Sequence, residues 1–188
     1  MRDPSTDPAA TTPAPHGVHP IDTLEALFFA ELQELRSAEL QLAAQLVGTA
    51  ASLKNGSLET LLQRYATELN ARREDLEQLL AAAGIDSREH SDQAMKALLD
   101  ELVKMSQLPV PQVRDAAFID SLQRIVHFKI AAYRSVATFA KTLGRAEDAS
   151  RLAEYADREK AADVRLTAIA AGEATLRAVN SAPRVRPS

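Results

Sequence analysis

The chain has 188 residues, a net charge of −4, no cysteine and only 4% aromatic residues. A single domain of this length has room for a hydrophobic core, and the lack of cysteine excludes disulfides, thiolate metal ligands and a cysteine nucleophile. Abundant Ala and Leu with only 6 Gly are typical of an all-α protein.

The charge and hydropathy patterns also restrict the partners and the compartment. No block of like charges indicates a nucleic-acid surface, and no apolar run approaches the roughly 20 residues that span a bilayer. The first residues lack the basic and apolar regions of a secretory signal. We therefore expect a cytoplasmic protein that binds neither nucleic acid nor membrane.

Proline divides the chain into a folded region and two tails. Residues 1–20 hold five of the 9 prolines among Thr, Ala and Asp, so this segment is predicted to be a disordered tail. Residues 180–188 are predicted to form a flexible C-terminal tail. The folded domain is expected at residues 21–179.

Helical spacing of apolar residues predicts five helices in that domain. They are expected at about 22–52, 57–84, 91–106, 112–143 and 146–179, with Asp22 and Ser57 as N-caps and with Gly84 and Gly144 ending their helices. Short links give two antiparallel helical hairpins, and a long connection at 85–111 joins them. This order predicts a ferritin-like four-helix bundle with an additional short crossover helix.

Charged residues interrupt the apolar stripe of each long helix near its middle. They are Glu39 in the first, Arg72 with Glu68 at the edge of the stripe in the second, Lys129 in the fourth, and Glu159 with Asp163 in the last. Antiparallel helices of similar length bring their middles to one level, so these groups are expected to meet in one layer. An unpaired charge there costs several kcal/mol or more, so the groups must neutralise each other or bind something. The alternative is that the long basic side chains reach out to solvent.

Four stretches resemble a known family. The sequences at residues 27–42, 73–78, 127–133 and 158–166 are similar, in order and spacing, to the YciF-like, DUF892 group of ferritin-like bacterial proteins. The resemblance covers roughly residues 24–170. It implies a ferritin-like bundle, often dimeric, in proteins linked with bacterial stress responses.

The resemblance also implies a metal-site pattern, which this chain keeps only in part. The residues retained as candidate metal ligands are Glu39, Glu68, His127, Glu159 and Asp163. Arg72 stands where the family has His or Gln, and Val126 and Lys129 stand where it has acids. For His127, a packing role is an alternative to a ligand role. Tyr65, Tyr133 and Tyr155 are expected in the bundle interior as core residues with hydroxyl partners.

The two basic residues favour a vacated metal site. A cation repels a divalent ion, since two unit charges about 4 Å apart interact by roughly 4 kcal/mol at an effective dielectric near 20. We expect Lys129 and Arg72 to bridge Glu39, Glu68, Glu159 and Asp163 in place of metal, so no cofactor is favoured. The alternatives are one metal ion on Glu39, Glu159 and Asp163, with or without His127, and an intact two-metal centre of iron or manganese.

Three functions follow from these alternatives. The first is a non-catalytic, stress-linked bundle that acts through protein partners, beginning with a homodimer. The second is a di-iron or di-manganese oxidase or peroxide-detoxifying enzyme, which would need a redox metal with an open coordination position. The third is a component of a larger assembly.

Overall fold

The computed structural model describes residues 21–50, 53, 55–86 and 90–172, and all regular structure among them is helical. The helices are α1 (Leu24–Ala50), α2 (Gly56–Ala82), α3 (Gln93–Ser106), α4 (Pro111–Thr142) and α5 (Ala146–Ala171). The prediction of an all-α bundle with four long helices and a short crossover helix is confirmed. The predicted tails at 1–20 and 180–188, and the last predicted helical residues at 173–179, lie outside the described residues.

The helices pair as the chain order suggests. α1 packs along α2, α4 packs along α5, and α3 lies against α1 and α4 in the crossover. Gly84 and Gly144 follow the ends of α2 and α4 with a φ of 74°, a left-handed conformation that favours glycine. Both were predicted to end these helices. None of the helices in the described ranges is long and apolar enough to cross a membrane.

α5 starts at the predicted residue, and the other helix starts lie within two residues of the sequence prediction. Thr23 caps α1 and Asn55 caps α2, and each side chain accepts a hydrogen bond of 3.0 Å from the backbone N–H three residues on. The predicted caps, Asp22 and Ser57, were wrong because an N-cap side chain must reach the N–H of the second or third helical residue. α4 begins at Pro111, which costs no hydrogen bond because the first N–H of a helix has no partner within it.

The hydrophobic core is split into two clusters by a polar layer. One cluster lies towards the α1–α2 link and contains residues such as Leu46, Leu62 and Leu122. The other lies towards the α4–α5 link and contains residues such as Phe28, Leu80 and Leu152. Four buried charged side chains lie at the level between them, near the middle of the long helices.

Candidate functional site

The polar layer takes one charged side chain from each long helix. Glu39 comes from α1, Arg72 from α2, Lys129 from α4 and Glu159 from α5, and none of the four is more than 2% exposed. Each lies on the core stripe of its helix, so the antiparallel packing brings all four together. Two carboxylates face two cations, and their formal charges cancel.

Lys129 lies between the two carboxylates. Its Nζ is 2.9 Å from Oε1 and 3.0 Å from Oε2 of Glu39, 2.9 Å from Oε1 of Glu159 and 3.4 Å from the hydroxyl of Tyr65. An ammonium group has three N–H donors, and each of them has an oxygen partner here. A buried lysine is tolerated when its charge is both paired and hydrogen-bonded in this way.

Two tyrosines complete the coordination of the carboxylates. Tyr133 donates a hydrogen bond of 2.6 Å to Glu39, and Tyr65 donates a short hydrogen bond to Glu159. The sequence predicts interior tyrosines with hydroxyl partners, but these two partners were not among its predictions. The signal was present in the helix spacing, because Tyr133 lies four residues after Lys129 and therefore shares its helix face.

Arg72 contributes charge rather than directed hydrogen bonds. Its Nη1 is 2.7 Å from Oε1 of Glu159 and its Nε is 3.8 Å from Oε1 of Glu39. None of its guanidinium nitrogens meets hydrogen-bond geometry with a described residue, so these contacts are ion pairs. The guanidinium carbon also lies 5.7 Å from the centre of the Tyr65 ring, in the range of a cation–π contact.

The electrostatics of the layer favour the charged acids and bases and the neutral phenols. Burial by itself raises the pKa of Glu159, but Lys129 and Arg72 outweigh burial and hold that pKa below its ordinary value. Burial opposes the charge on Arg72, yet Glu39 and Glu159 raise the pKa of its guanidinium. Burial, followed by the nearby carboxylates, raises the pKa values of Tyr65 and Tyr133 well above the ordinary value. Both phenols therefore remain hydrogen-bond donors at neutral pH.

Glu68 and Asp163 do not join the layer, contrary to the predicted bridging by Lys129 and Arg72. Glu68 pairs with Arg64 at 3.0 Å, and Asp163 accepts a hydrogen bond of 2.8 Å from Gln123. Their side chains are 24% and 23% exposed. A step of four residues turns a helix by about 40° past a full turn, which moves both acids away from the bundle axis.

His127 is also outside the layer. Its side chain is 64% exposed, and its Nε2 lies 3.4 Å from Oδ2 of Asp163 on the surface between α4 and α5. Two residues along a helix correspond to about 200° of rotation, so His127 points away from the side on which Lys129 is buried. The structure thus places His127 neither among the buried charges nor in the core.

The residues of the layer do not fit a dimetal centre. A carboxylate-bridged pair of metal ions in a bundle takes about four acidic residues and two histidines. The layer supplies only Glu39 and Glu159 as acids, with two cations beside them, and the position of Val126 is fully buried in an apolar cluster. Across the part of the chain that the structure describes, no three His, Asp or Glu side chains are grouped as metal ligands.

Known proteins are similar to this chain in sequence and in fold. The chain is 30% identical over 162 residues to protein YciF of Escherichia coli strain K12. The matched region covers 85% of this chain and 98% of that protein. The crystal structure of the E. coli stress protein YciF matches with a TM-score of 0.76 and 29% identity, over 86% of this chain and 99% of that one.

A second solved structure and a family model agree with this match. YcfI of Rhodopseudomonas palustris, whose proposed role is structural, matches with a TM-score of 0.74 and 26% identity, over 79% of this chain and 95% of that one. The model of the domain of unknown function DUF892 matches residues 23–179. The resemblance expected from the sequence is confirmed, and the chain belongs to the DUF892 family.

Proposed function

We propose that this protein is a non-catalytic, stress-linked structural protein with a ferritin-like bundle, in which a buried ion network stands in for a dimetal centre. The observation that carries the proposal is the position of Lys129, whose Nζ lies 2.9 Å from one oxygen of Glu39 and 2.9 Å from one oxygen of Glu159. A cation in this position offsets the two acids as a bridging metal would. The descriptions of YciF as a stress protein and of YcfI as a proposed structural protein support this class.

In this proposal the layer sets the axial position of the four helices. Buried ionic groups sometimes select one helix alignment among several, at some cost in stability. A shift of α4 by one turn, about 5.4 Å, would separate Lys129 from both carboxylates. The apolar clusters on either side would tolerate such a shift more easily, because their contacts are not directional.

Metal analysis of the full-length protein tests the proposal against the enzyme alternative. The protein is produced in medium supplemented with iron and manganese, purified without chelator, and analysed by plasma mass spectrometry at pH 7. We expect well under 0.1 equivalent of either metal per chain. About two equivalents per chain, with peroxide consumption that depends on them, would reject the vacated-site proposal in favour of an oxidase or peroxide-detoxifying enzyme.

We also propose that the protein acts through protein partners, beginning with a homodimer. On α1, Leu40, Ala44 and Val47 share one helix face and are exposed, and no charged side chain lies between them on that face. A two-fold dimer uses the same patch on both subunits, so an uncharged apolar stripe is self-complementary. A wider assembly would build on this dimer.

Light scattering of matched variants tests the dimer. Val47 and Val164 are 71% and 67% exposed, on α1 and α5 respectively. We expect the wild type and Val164→Asp to have the mass of a dimer and Val47→Asp to shift towards the monomer. A monomeric wild type, or equal behaviour of the two variants, would contradict the proposed interface without affecting the ion network.

A further inference from the structure

A groove opens on the surface between the first half of α2 and the last half of α5, with a volume of about 380 Å³. Its apolar floor is formed by Leu61 and Tyr65 of α2 and by Ala162, Ala168 and Ile169 of α5. The space arises because α5 presents small alanine side chains where it faces larger residues of α2. The volume lies within the range of about 300–1,000 Å³ that is usual for small-molecule sites.

The rim of the groove has an excess of positive charge. Arg64 and Arg165 lie on it from opposite helices, and the acid that shares the rim, Glu68, is already paired with Arg64 at 3.0 Å. Arg165 is exposed and has no ion pair or hydrogen bond with any residue that the structure describes. An apolar floor beside one uncompensated guanidinium suits a molecule with an apolar body and a single negative head group.

The base of the groove touches the buried charge layer. Tyr65 lines the groove, and its hydroxyl donates a hydrogen bond to Glu159. The same side chain therefore contacts the groove and the carboxylate network. Tyr65 and Ala162 are 2% and 1% exposed, so this part of the floor belongs to the packed core.

We propose that this groove binds a small amphipathic monoanion, such as a medium-chain or aromatic carboxylate. The apolar body lies along Leu61, Ala168 and Ile169, and the carboxylate pairs with Arg165. The four charged side chains of the layer and the proposed dimer surface on α1 do not line this groove, so the binding proposal is tested separately from the proposed function.

Calorimetric titration of the full-length protein with three probes that carry an eight-carbon chain tests the ligand class. The probes are sodium octanoate, octan-1-ol and octyltrimethylammonium bromide, which share a chain but differ in charge. We expect octanoate to bind saturably at one site per chain, with a Kd at least fivefold below those of the other two. No saturable binding of octanoate, or equal or tighter binding of the cation, would overturn the proposal.

Two variants, each with a matched control on α5, locate the binding. Arg165→Gln is expected to raise the Kd for octanoate about three- to fivefold, the range of an exposed charge contact, and to leave octanol unchanged. Ala168→Phe fills the groove and should raise the Kd for octanoate and octanol at least tenfold. Arg151→Gln and Ala153→Phe make the same changes at exposed positions outside the groove and should have no effect.

All four substituted positions are exposed, so the variants are expected to fold, and circular dichroism checks this. Binding that is unchanged in Ala168→Phe, or that is weakened equally by the control variants, would place the probe elsewhere and overturn the assignment.

Discussion

Lys129 and Glu159 form an ion pair of 2.9 Å at the centre of the bundle, and neither side chain is exposed. The two residues come from adjacent antiparallel helices, α4 and α5, and Glu39 of α1 is an equal distance from the same ammonium group. One lysine thereby joins the two helical hairpins. The layer is buried, and its two positive and two negative charges balance within four side chains. Removing any one of them therefore leaves an uncompensated buried charge.

Replacing Lys129 by Met is expected to destabilise the protein strongly. The variant leaves Glu39 and Glu159 with Arg72 as the single cation, and breaking a buried ion pair by removing one partner typically costs about 3–5 kcal/mol. Urea denaturation followed by circular dichroism measures the loss in the free energy of unfolding. Adding Glu39→Gln should recover at least about 1 kcal/mol of it, because the charges then balance again.

Lys104→Met is the control for this change. Lys104 forms an ion pair with Glu101 but its side chain is 69% exposed, so we expect a loss below about 0.5 kcal/mol. If Lys129→Met were as mild as this control, the ammonium group would not be neutralising the buried acids, and the proposed role of the layer would have to be abandoned.

Tyr133→Phe isolates the contribution of one hydroxyl. It removes the hydrogen bond of 2.6 Å to Glu39 and leaves a buried carboxylate oxygen with one donor fewer, which is expected to cost about 1–3 kcal/mol. Tyr155→Phe is the matched control, since the hydroxyl of Tyr155 donates to Asp75, which is only partly buried and which water can reach. The melting transitions should show a clearly larger loss for Tyr133→Phe, and the opposite order would contradict the assignment.

Alkaline titration reports on all three tyrosines at once. Burial and nearby carboxylates raise the pKa values of Tyr65, Tyr133 and Tyr155, which are the only tyrosines of the chain. Free tyrosine is about three quarters ionised at pH 10.5, so the folded protein should show little tyrosinate absorbance at 295 nm at that pH. A raised pKa means that stability is lost as the pH rises above 10, so ionisation should coincide with unfolding. In guanidinium chloride the three phenols should titrate near pH 10.

Acid should weaken the layer through Glu159. Its pKa lies below the ordinary value of 4.5 in the folded protein, because Lys129 and Arg72 favour the carboxylate. The unfolded chain therefore binds more protons below pH 4.5, and stability falls as the pH drops through the folded pKa, by up to about 1.4 kcal/mol per pH unit for this proton.

Glu159→Gln lowers stability at pH 7 but removes this titration, so its unfolding free energy should fall less steeply between pH 5 and 3 than that of the wild type. Glu101→Gln, at the protein surface, is the control and should keep the wild-type slope. Parallel curves for the wild type and Glu159→Gln would show that this carboxyl is not held in its charged form.

The sequence was sufficient for the fold and for the core of the site, but not for the boundary of the site. The apolar stripes define four long helices, and a charged residue in the middle of a stripe is expected to face the centre of the bundle. For that reason the sequence predicts that Glu39, Arg72, Lys129 and Glu159 form one group. Whether Glu68 and Asp163 belonged with them could not be decided from spacing alone.

Those acids illustrate what periodicity leaves open. Residues four apart share a helix face, but they differ by about 40° in direction around the helix. In a helix that packs on two sides, this difference decides whether a side chain points to the bundle axis or to the edge of the interface. Glu68 had a local alternative in Arg64, and Asp163 had one in Gln123 of α4. The choice between these partners is a property of the packed bundle, and the sequence of one helix does not contain it.

The position of the four charges halfway along their helices also limits how the bundle can move. Sliding a helix lengthwise would separate every ion pair of its charged group, whereas tilting the same helix about its midpoint leaves those pairs almost intact. We therefore expect the helices to move by tilting about their midpoints, which separates the helix ends. α2 and α5 make few contacts with each other in the described residues, so their ends are where such opening would first admit solvent.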